Sequence, residues 1–262
     1  MEPRRSEALI LRLRGLGESD LLLDMFARDL GRITALVKGG KRSQKRFFGL
    51  LLSGHLVDSQ LAPPKKGSDL WRLDAASLLA AHVGLRLDYQ RLIAAAPVWE
   101  LLLRATAPQD PHPPALDLAL ATLSRLERAN DPAELAAGLI VYLTRLLKEL
   151  GYGLCLDVCL LCGRPHAQAA STQLSLAGGL VCGLCPNESP GRGRATAWEV
   201  PAGLVKGLAA AQEMELGALG RLRFPAAVLG PGLAFLGEFW QRVIGRDLAG
   251  LEVAQKFFFK NL

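Results

Sequence analysis

The stretch DLLLDMFARDLGRITALV, residues 20–37, decides the fold. Two apolar runs, Asp20 to Ala27 and Arg32 to Val37, flank Asp29-Leu30-Gly31, and a short turn with glycine between two such runs predicts a β-hairpin. Outward from that hairpin the same spacing continues. Upstream, Ala8 to Leu13 sets Leu9, Leu11 and Leu13 against Ala8, Ile10 and Arg12, as a strand with two faces does. Downstream, Leu50 to Leu61 reads as one long strand with a bulge at Gly54. Ala62-Pro63-Pro64-Lys65-Lys66-Gly67 then turns the chain into a fifth strand, Leu70 to Leu73. Five strands in 80 residues fit an OB-fold, a partly open Greek-key barrel that often carries oligonucleotides. Fold alone does not establish that function.

After about residue 76 the apolar period changes from two to 3.6. Leu85, Leu92, Trp99, Leu102 and Leu103 fall on helical patterns, interrupted between Ala107 and Pro114. Asp131-Pro132-Ala133-Glu134 is the best helix start in the chain, with Asp as N-cap, Pro at the first helical position and Glu at the third. Leu135, Leu139, Leu143, Leu146 and Leu150 then form one apolar stripe that ends at Gly151. Helical patterns return at Pro201 to Met214 and Leu233 to Ile244. The expected class is therefore α+β: an N-terminal OB-fold barrel (1–80), then a helical domain in two parts (81–155 and 193–262). A cysteine-rich module (156–192) is inserted between those parts.

The chain has 262 residues, half of them hydrophobic and 21% charged, which is enough apolar material for a core and excludes a disordered chain. The net charge of +6 is unevenly placed. Residues 1–80 hold 14 Lys and Arg against 9 Asp and Glu, and within residues 32–66 eight cations face a single acid, Asp58. A concentrated positive field points to a polyanion or an anionic surface as partner. No segment reads as a membrane span: Pro165 to Asn187 is rich in Gly, Ser and Gln, and Phe224 to Gly237 is short and holds Pro225 and Pro231. Arg4, Arg5, Glu7 and Arg12 leave no room for the apolar core of a signal peptide. A soluble cytoplasmic protein is expected.

Cys159-Leu160-Leu161-Cys162-Gly163 is followed, after nineteen residues, by Cys182-Gly183-Leu184-Cys185. Two residues between paired cysteines let both sulfurs reach one ion about 2.3 Å away, and the separation of the pairs suits a four-cysteine zinc site. Disulfides compete, but a cytosolic chain keeps such thiols reduced. Four thiolates leave no open coordination position, so the zinc is expected to be structural. Cys155, four residues before the first ligand, reads as a small buried side chain, with an alternate ligand as the other reading.

Lys38-Gly39-Gly40-Lys41-Arg42-Ser43-Gln44-Lys45-Arg46 puts five cations in nine residues, too many for a barrel strand, and reads as an exposed loop or short helix. Its glycines allow close backbone approach, and its cations neutralise phosphates with release of counterions. The alternative is a solvated loop that binds nothing. With Lys65 and Lys66 in the loop before the fifth strand, and Arg12 and Arg14 on the first, nucleic acid is the favoured partner. Arg192 and Arg194, beside the cysteine module, offer a second basic surface. Phe47 and Phe48 read first as anchors of the loop to the core and second as stacking platforms for bases.

Catalytic constellations are missing from the sequence. His55, His82, His112 and His166 form no HxE, HExxH or HxH pattern, and no GxSxG, GxGxxG or complete P-loop occurs. The reading is a binding protein, not an enzyme. An RNA-binding barrel and zinc protein of ribosome or tRNA metabolism is the alternative, and a nucleic-acid enzyme with a structural zinc stands behind it.

The order of these parts resembles the bacterial RecO family of DNA repair and recombination mediators from end to end. The resemblance lies in Gly17-Glu18-Ser19-Asp20-Leu21-Leu22, in Gly31 through Lys38-Gly39-Gly40-Lys41-Arg42, in Gly151-Tyr152 leading to Cys159–Cys162, and in Gly178-Gly179-Leu180-Val181-Cys182 to Cys185. It implies an OB-fold, a helical domain and, in many members, a zinc module. It further implies binding of single- and double-stranded DNA and annealing of strands coated with single-stranded-DNA-binding protein. The implied partners are RecR, that coating protein and, indirectly, RecF and RecA, with a place in the cytoplasm at the nucleoid.

Overall fold

The computed structural model describes residues 2–43, 46–165, 172–185 and 197–261. The chain divides into two compact units: Met1–Tyr89 with Ala95–Glu127, and Gln90–Ala94 with Arg128–Leu262.

In the first unit, β1 (Arg4–Leu16), β2 (Asp20–Ala27), β3 (Gly31–Val37), β4 (Leu56–Ala62) and β5 (Leu70–Ala80) close into a barrel in the order β1-β2-β3-β5-β4. The expected OB-fold is present, closed where a partly open barrel was expected. β1 serves two neighbours, with a register shift between Ile10 and Arg12: Arg4–Leu9 pairs with β4, and Ala8–Leu16 pairs with β2, the two overlapping at Ala8 and Leu9. Closure comes from the parallel pairing of β3 and β5, with Ala35 opposite Trp71. Alternate residues point inward. Gly31, Ile33, Ala35 and Val37 of β3 are buried, and Ile10, Leu23, Met25, Val57, Leu61 and Leu73 complete the interior. Each large apolar side chain so buried stabilises the fold by roughly 1.5–3 kcal/mol.

Two expectations are corrected in this unit. The fourth strand begins at Leu56, not Leu50, because Gly54 adopts a left-handed backbone (φ +83°) and turns the chain. The Gly54 N–H still bonds to the Ile10 carbonyl at 2.7 Å, while Phe47 and Leu51 pack into the barrel interior from the loop. The fifth strand runs on to Ala80, past the apparent change of period, since Leu78 pairs with Val57 and Ala80 with Leu56. Cross-strand pairing decides here over local pattern. Beyond the barrel come α1 (Val83–Arg86), α2 (Tyr89–Ala105) and α3 (Pro113–Arg128).

The second unit is built on α4 (Pro132–Glu149), twelve of whose residues are buried. The Asp131 carboxylate accepts the Glu134 N–H at 2.8 Å, and Glu134 reaches back to accept the Asn130 N–H at 2.8 Å. The helix ends in a Schellman closure: Gly151, at φ +84°, donates to Lys148, and Tyr152 donates to Leu147. Around it lie α5 (Ala202–Glu213), α6 (Ala226–Ile244) and α7 (Ala249–Asn261). Trp240 of α6 is fully buried and donates its indole N–H to the Leu143 carbonyl at 3.2 Å. α6 starts two turns before Leu233 and accommodates Pro231. α7 follows Gly245, which caps α6 in a left-handed conformation. Between α4 and α5 lies a small sheet of β6 (Cys155–Cys159), β7 (Thr172–Ser175), β8 (Gly179–Cys182) and β9 (Ala197–Glu199), in the order β6-β8-β7-β9.

Candidate metal centre and nucleic-acid interface

The cysteine pairs sit where β6 and β8 end as parallel neighbours. Cys159 closes β6, and the chain turns back at once: Gly163 donates to the Cys159 carbonyl at 2.9 Å, and Leu160 donates to Leu180 of β8 at 2.8 Å. Cys182 closes β8, and Cys185 N–H bonds to its carbonyl at 3.1 Å. These two tight turns gather Cys159, Cys162, Cys182 and Cys185, with all four sulfurs within 4.8 Å of one another. Three of the Sγ···Sγ separations are 3.9 Å (Cys159–Cys185), 3.7 Å (Cys162–Cys182) and 3.4 Å (Cys182–Cys185). A tetrahedron with metal–sulfur bonds of 2.3 Å has edges of about 3.8 Å, so the cluster has the size to hold a metal ion. Cys155 begins β6 outside this cluster, half-buried, with its thiol 3.9 Å from the Val158 carbonyl.

The protonation of the four thiols is mutually constrained. Burial raises the Cys159 pKa, but backbone N–H groups of Cys182, Cys162 and Leu161 directed at its sulfur outweigh that and bring it down to about 6. The Cys182 thiol is lowered chiefly by the Leu184 N–H. Cys185 is pushed up, mainly by its hydrogen bonds to Cys182 and Cys162. Several thiolates this close are not stable together without a cation, which is the chemistry of a metal site.

The basic loop leaves β3 at Lys38 and is tied to the turn between β1 and β2. Lys41 donates its ammonium to the Gly17 carbonyl at 2.6 Å and its N–H to Ser19 at 2.9 Å, and Gly39 N–H bonds to the Asp20 carboxylate at 2.8 Å. That N–H, then the Ser19 hydroxyl, holds Asp20 below the usual carboxylate range. Arg42 stands 3.8 Å from Glu18 with both side chains largely in solvent, so the pair contributes little. Arg46 donates to the Lys38 carbonyl at 2.7 Å and lies over the Phe47 ring. Phe47 is buried in the barrel while Phe48 is 81% exposed, so the loop anchor is Phe47 and the outward ring is Phe48. Lys45, Arg192 and Arg194 lie outside the described residues.

Arg12 and Arg14 project from alternate positions of β1 onto one carboxylate of β2, Asp24, at 2.8 and 3.0 Å. Burial raises the Asp24 pKa, but hydrogen bonds from Thr34 and Arg12 and the charges of Arg14 and Arg12 outweigh it, and the group is held low. Arg32 stands in the same field: burial, and also the Arg12 charge, lowers its pKa against the opposing pull of Asp24. One acid thus orients a group of arginines that outnumber it. The sequence reading passed over Asp24, because its role depends on the register that sets Arg12 opposite it.

The predicted cations do not form one cluster. Lys38, Lys41, Arg42 and Arg46 gather at the Leu16 end of β1, by the β1–β2 turn. Lys65 and Lys66 follow the stretch of β4 whose end pairs with Arg4, at the other end of β1, about 40 Å of strand away. Both lysines are exposed and make no ion pair among the described residues. Arg12 and Arg14 lie between the two groups. No described helix is long and apolar enough to cross a membrane.

The chain resembles known proteins over most of its length. Residues 1–82 match the family described as recombination protein O N terminal, and residues 86–252 match recombination protein O C terminal. A DNA repair protein RecO from Syntrophobacter fumaroxidans is 31% identical over 224 residues, covering 86% of each chain. The protein of the same name from Desulfosudis oleivorans is 29% identical over 257 residues, 96% of each chain. That from Frankia casuarinae is 34% identical over 185 residues, 69% of this chain and 72% of its own. With both terminal halves matched in order and a relative this similar over most of its length, the chain belongs to the recombination protein O family.

Proposed function

We propose that the chain is a DNA repair and recombination mediator that works without chemistry of its own. In this reading it binds single- and double-stranded DNA along the basic side of the barrel and anneals complementary strands coated with single-stranded-DNA-binding protein. It acts with RecR, and indirectly with RecF, to load RecA, in the cytoplasm at the nucleoid. The observation that carries the reading is the placing of cations along β1: Lys38, Lys41, Arg42 and Arg46 at one end, Arg12 and Arg14 held by Asp24 between, Lys65 and Lys66 at the other; Lys45, next to Arg46 in the sequence, belongs to the same proposal. Annealing needs two like-charged backbones brought together, and a fixed row of cations lowers that repulsion. Arg192 and Arg194 belong to the same proposal as a second contact.

Zinc is the proposed ion of Cys159, Cys162, Cys182 and Cys185, since soft thiolates in a tetrahedral set select it. The ion supplies a cross-link and no reactive position. The chain's own residues do the rest, with the backbone N–H groups of Leu161, Cys182 and Leu184 stabilising sulfur charge.

The test is annealing of two complementary labelled strands precoated with single-stranded-DNA-binding protein, without ATP or magnesium. Acceleration by the purified protein supports the mediator. Tight binding without acceleration, alone and with RecR added, overturns annealing, and preference for a matched RNA strand moves the protein to RNA metabolism.

A further inference from the structure

We propose that the barrel holds a pocket for one unstacked base of a single strand, and that this pocket selects a base with an exocyclic amino group. The inference rests on the nucleic-acid reading above and adds a base-recognising site to a surface otherwise made of phosphate contacts.

The pocket, of about 300 Å³, lies where β1 begins, and its walls include Arg4, Asp29, Pro63, Pro64, Trp71 and Gln109. That volume is at the small end of ligand pockets, which run roughly 300–1,000 Å³, and suits a single flat ring. The segment carrying Gln109 is fixed against the barrel. Gln109 N–H bonds to the Arg32 carbonyl at 2.9 Å, and the Arg32 guanidinium bonds to the Thr106 carbonyl at 3.0 Å. Gln109 itself is held at φ +53°, a conformation that side-chain-bearing residues rarely adopt and that structures retain where surroundings impose it.

The walls carry unused hydrogen-bonding capacity. Trp71 is 5% exposed, and its indole N–H has no acceptor among the described residues. That N–H is closed to solvent within the barrel core, so Trp71 lends the pocket an apolar wall and not a donor. Asp29 receives the Ser6 hydroxyl on Oδ2 at 3.2 Å, and Oδ1 has no partner among the described residues. The Gln109 amide makes no side-chain hydrogen bond among them either. Arg4 is exposed and has no ion pair among the described residues.

A nucleotide fits this combination of groups. Pro63 and Pro64, with the small part of Trp71 that stays exposed behind them, offer an apolar wall to a ring. Arg4 meets the phosphate of that nucleotide, and Lys65 and Lys66, directly after Pro64, meet the phosphates beside it. An acidic peptide would set its carboxylates against Asp29, and a basic one would face Arg4, Lys65 and Lys66. A ligand that is anionic on one side and presents hydrogen-bond donors on the other satisfies both. A carboxylate accepts and cannot donate, so Asp29 favours the amino groups of cytosine, adenine or guanine over thymine, whose single donor, N3–H, stands between two carbonyls.

The experiment uses the full chain and three end-labelled strands of about 20 nucleotides, longer than the ~4–16 covered by one OB-fold: oligo-dC, oligo-dT and an abasic deoxyribose-phosphate strand. Affinity is read by fluorescence anisotropy at one salt concentration. The native protein is expected to bind oligo-dC about tenfold more tightly than the abasic strand, with oligo-dT between them. Asp29→Asn combined with Gln109→Ala is expected to bring oligo-dC down to oligo-dT. A ratio between strands is unaffected by a loss of active protein, and Trp71→Phe, which removes the five-membered ring of the indole together with its N–H and so enlarges the pocket wall, provides an independent variant. Equal affinity for all three strands overturns the pocket and leaves the phosphate-binding reading intact. An unchanged ratio in both variants places base recognition elsewhere, and absence of binding to every strand overturns both readings.

Discussion

The Asp24 carboxylate receives the Arg12 guanidinium at 2.8 Å while its second oxygen receives Arg14 at 3.0 Å and the Thr34 hydroxyl at 2.8 Å. Both arginines are nearly half-exposed and the aspartate is buried, so the acid works as a socket that orients two charges at the surface. Asp24→Asn keeps the shape and removes the charge. Its expected cost is about 1.5–3 kcal/mol, the range for hydrogen bonds to charged groups. Because folding lowers the Asp24 pKa below its ordinary 3.8, the stabilisation is full above that value and is lost as pH falls through the folded value. Urea midpoints for the native chain and Asp24→Asn should therefore differ at neutral pH and converge in acid. A constant gap down to the lowest pH would mean that folding does not lower the Asp24 pKa, and that the arginines do not favour its charged form.

Neutralising Lys41, Arg42, Lys45 and Arg46 together tests the basic loop. Removing one phosphate-binding cation should lower the slope of log affinity for a single strand against log salt by about 0.7. Lys41 and Arg46 differ from Arg42, since they already serve the Gly17 and Lys38 carbonyls. Arg42→Ala alone should flatten the slope by close to that amount, whereas Lys41→Ala should also loosen the β1–β2 turn, read as faster amide exchange at Gly17 and Ser19. An unchanged slope in the fourfold variant would move binding to Lys65 and Lys66 or to Arg192 and Arg194.

The four-cysteine cluster predicts a separation of stability from DNA binding. Cys159→Ser replaces a thiol whose pKa is brought down to about 6 by a poor ligand, and metal affinity and melting temperature should both fall. Salt-sensitive DNA binding at a temperature where the variant is still folded should change much less, since the barrel lies in the other compact unit. Zinc release by chelator, followed with a colorimetric dye, should expose thiols in step with the metal released. Unchanged stability with abolished DNA binding would make the cysteine module a contact surface.

Much of this was legible in the sequence, and the limits have physical causes. The Asp20–Val37 hairpin shows because one face of it is buried and alternation records that face. The Asp131-Pro132-Glu134 start shows because capping is a local property, and the cysteines show because a metal turn dictates its own spacing. Leu50 to Gly54 misleads because Phe47 and Leu51 are apolar for the sake of the barrel interior, yet reach it from a loop. Ser77 to Ala80 misleads because only its ladder with β4 makes it a strand. Asp24 is invisible for a deeper reason: a residue that organises others across strands has no signature until register is known. The cations of the loop are countable in the sequence, but that Lys41 closes a turn and Arg46 braces Lys38 is not.

Gln212 provides the last test, because it binds the route into the cysteine module to the helical core. Its amide nitrogen donates to the Leu154 carbonyl at 3.0 Å, and its carbonyl oxygen accepts the Leu154 N–H at 2.7 Å, so the side chain imitates one rung of a β-ladder. Leu154 immediately precedes β6, and both residues are buried, so water cannot take over either bond. Gln212→Leu keeps the volume and leaves a buried donor and acceptor unpaired, at a cost of about 1–3 kcal/mol for each. Gln212→Glu preserves the acceptor, loses the donor and adds a buried charge, so it should be the worse of the two at neutral pH and recover as acid protonates it. Thermal unfolding of both variants across pH measures the order. If Leu is tolerated and Glu shows no recovery in acid, the Leu154 bonds contribute nothing, and the module is held to α5 by apolar packing alone.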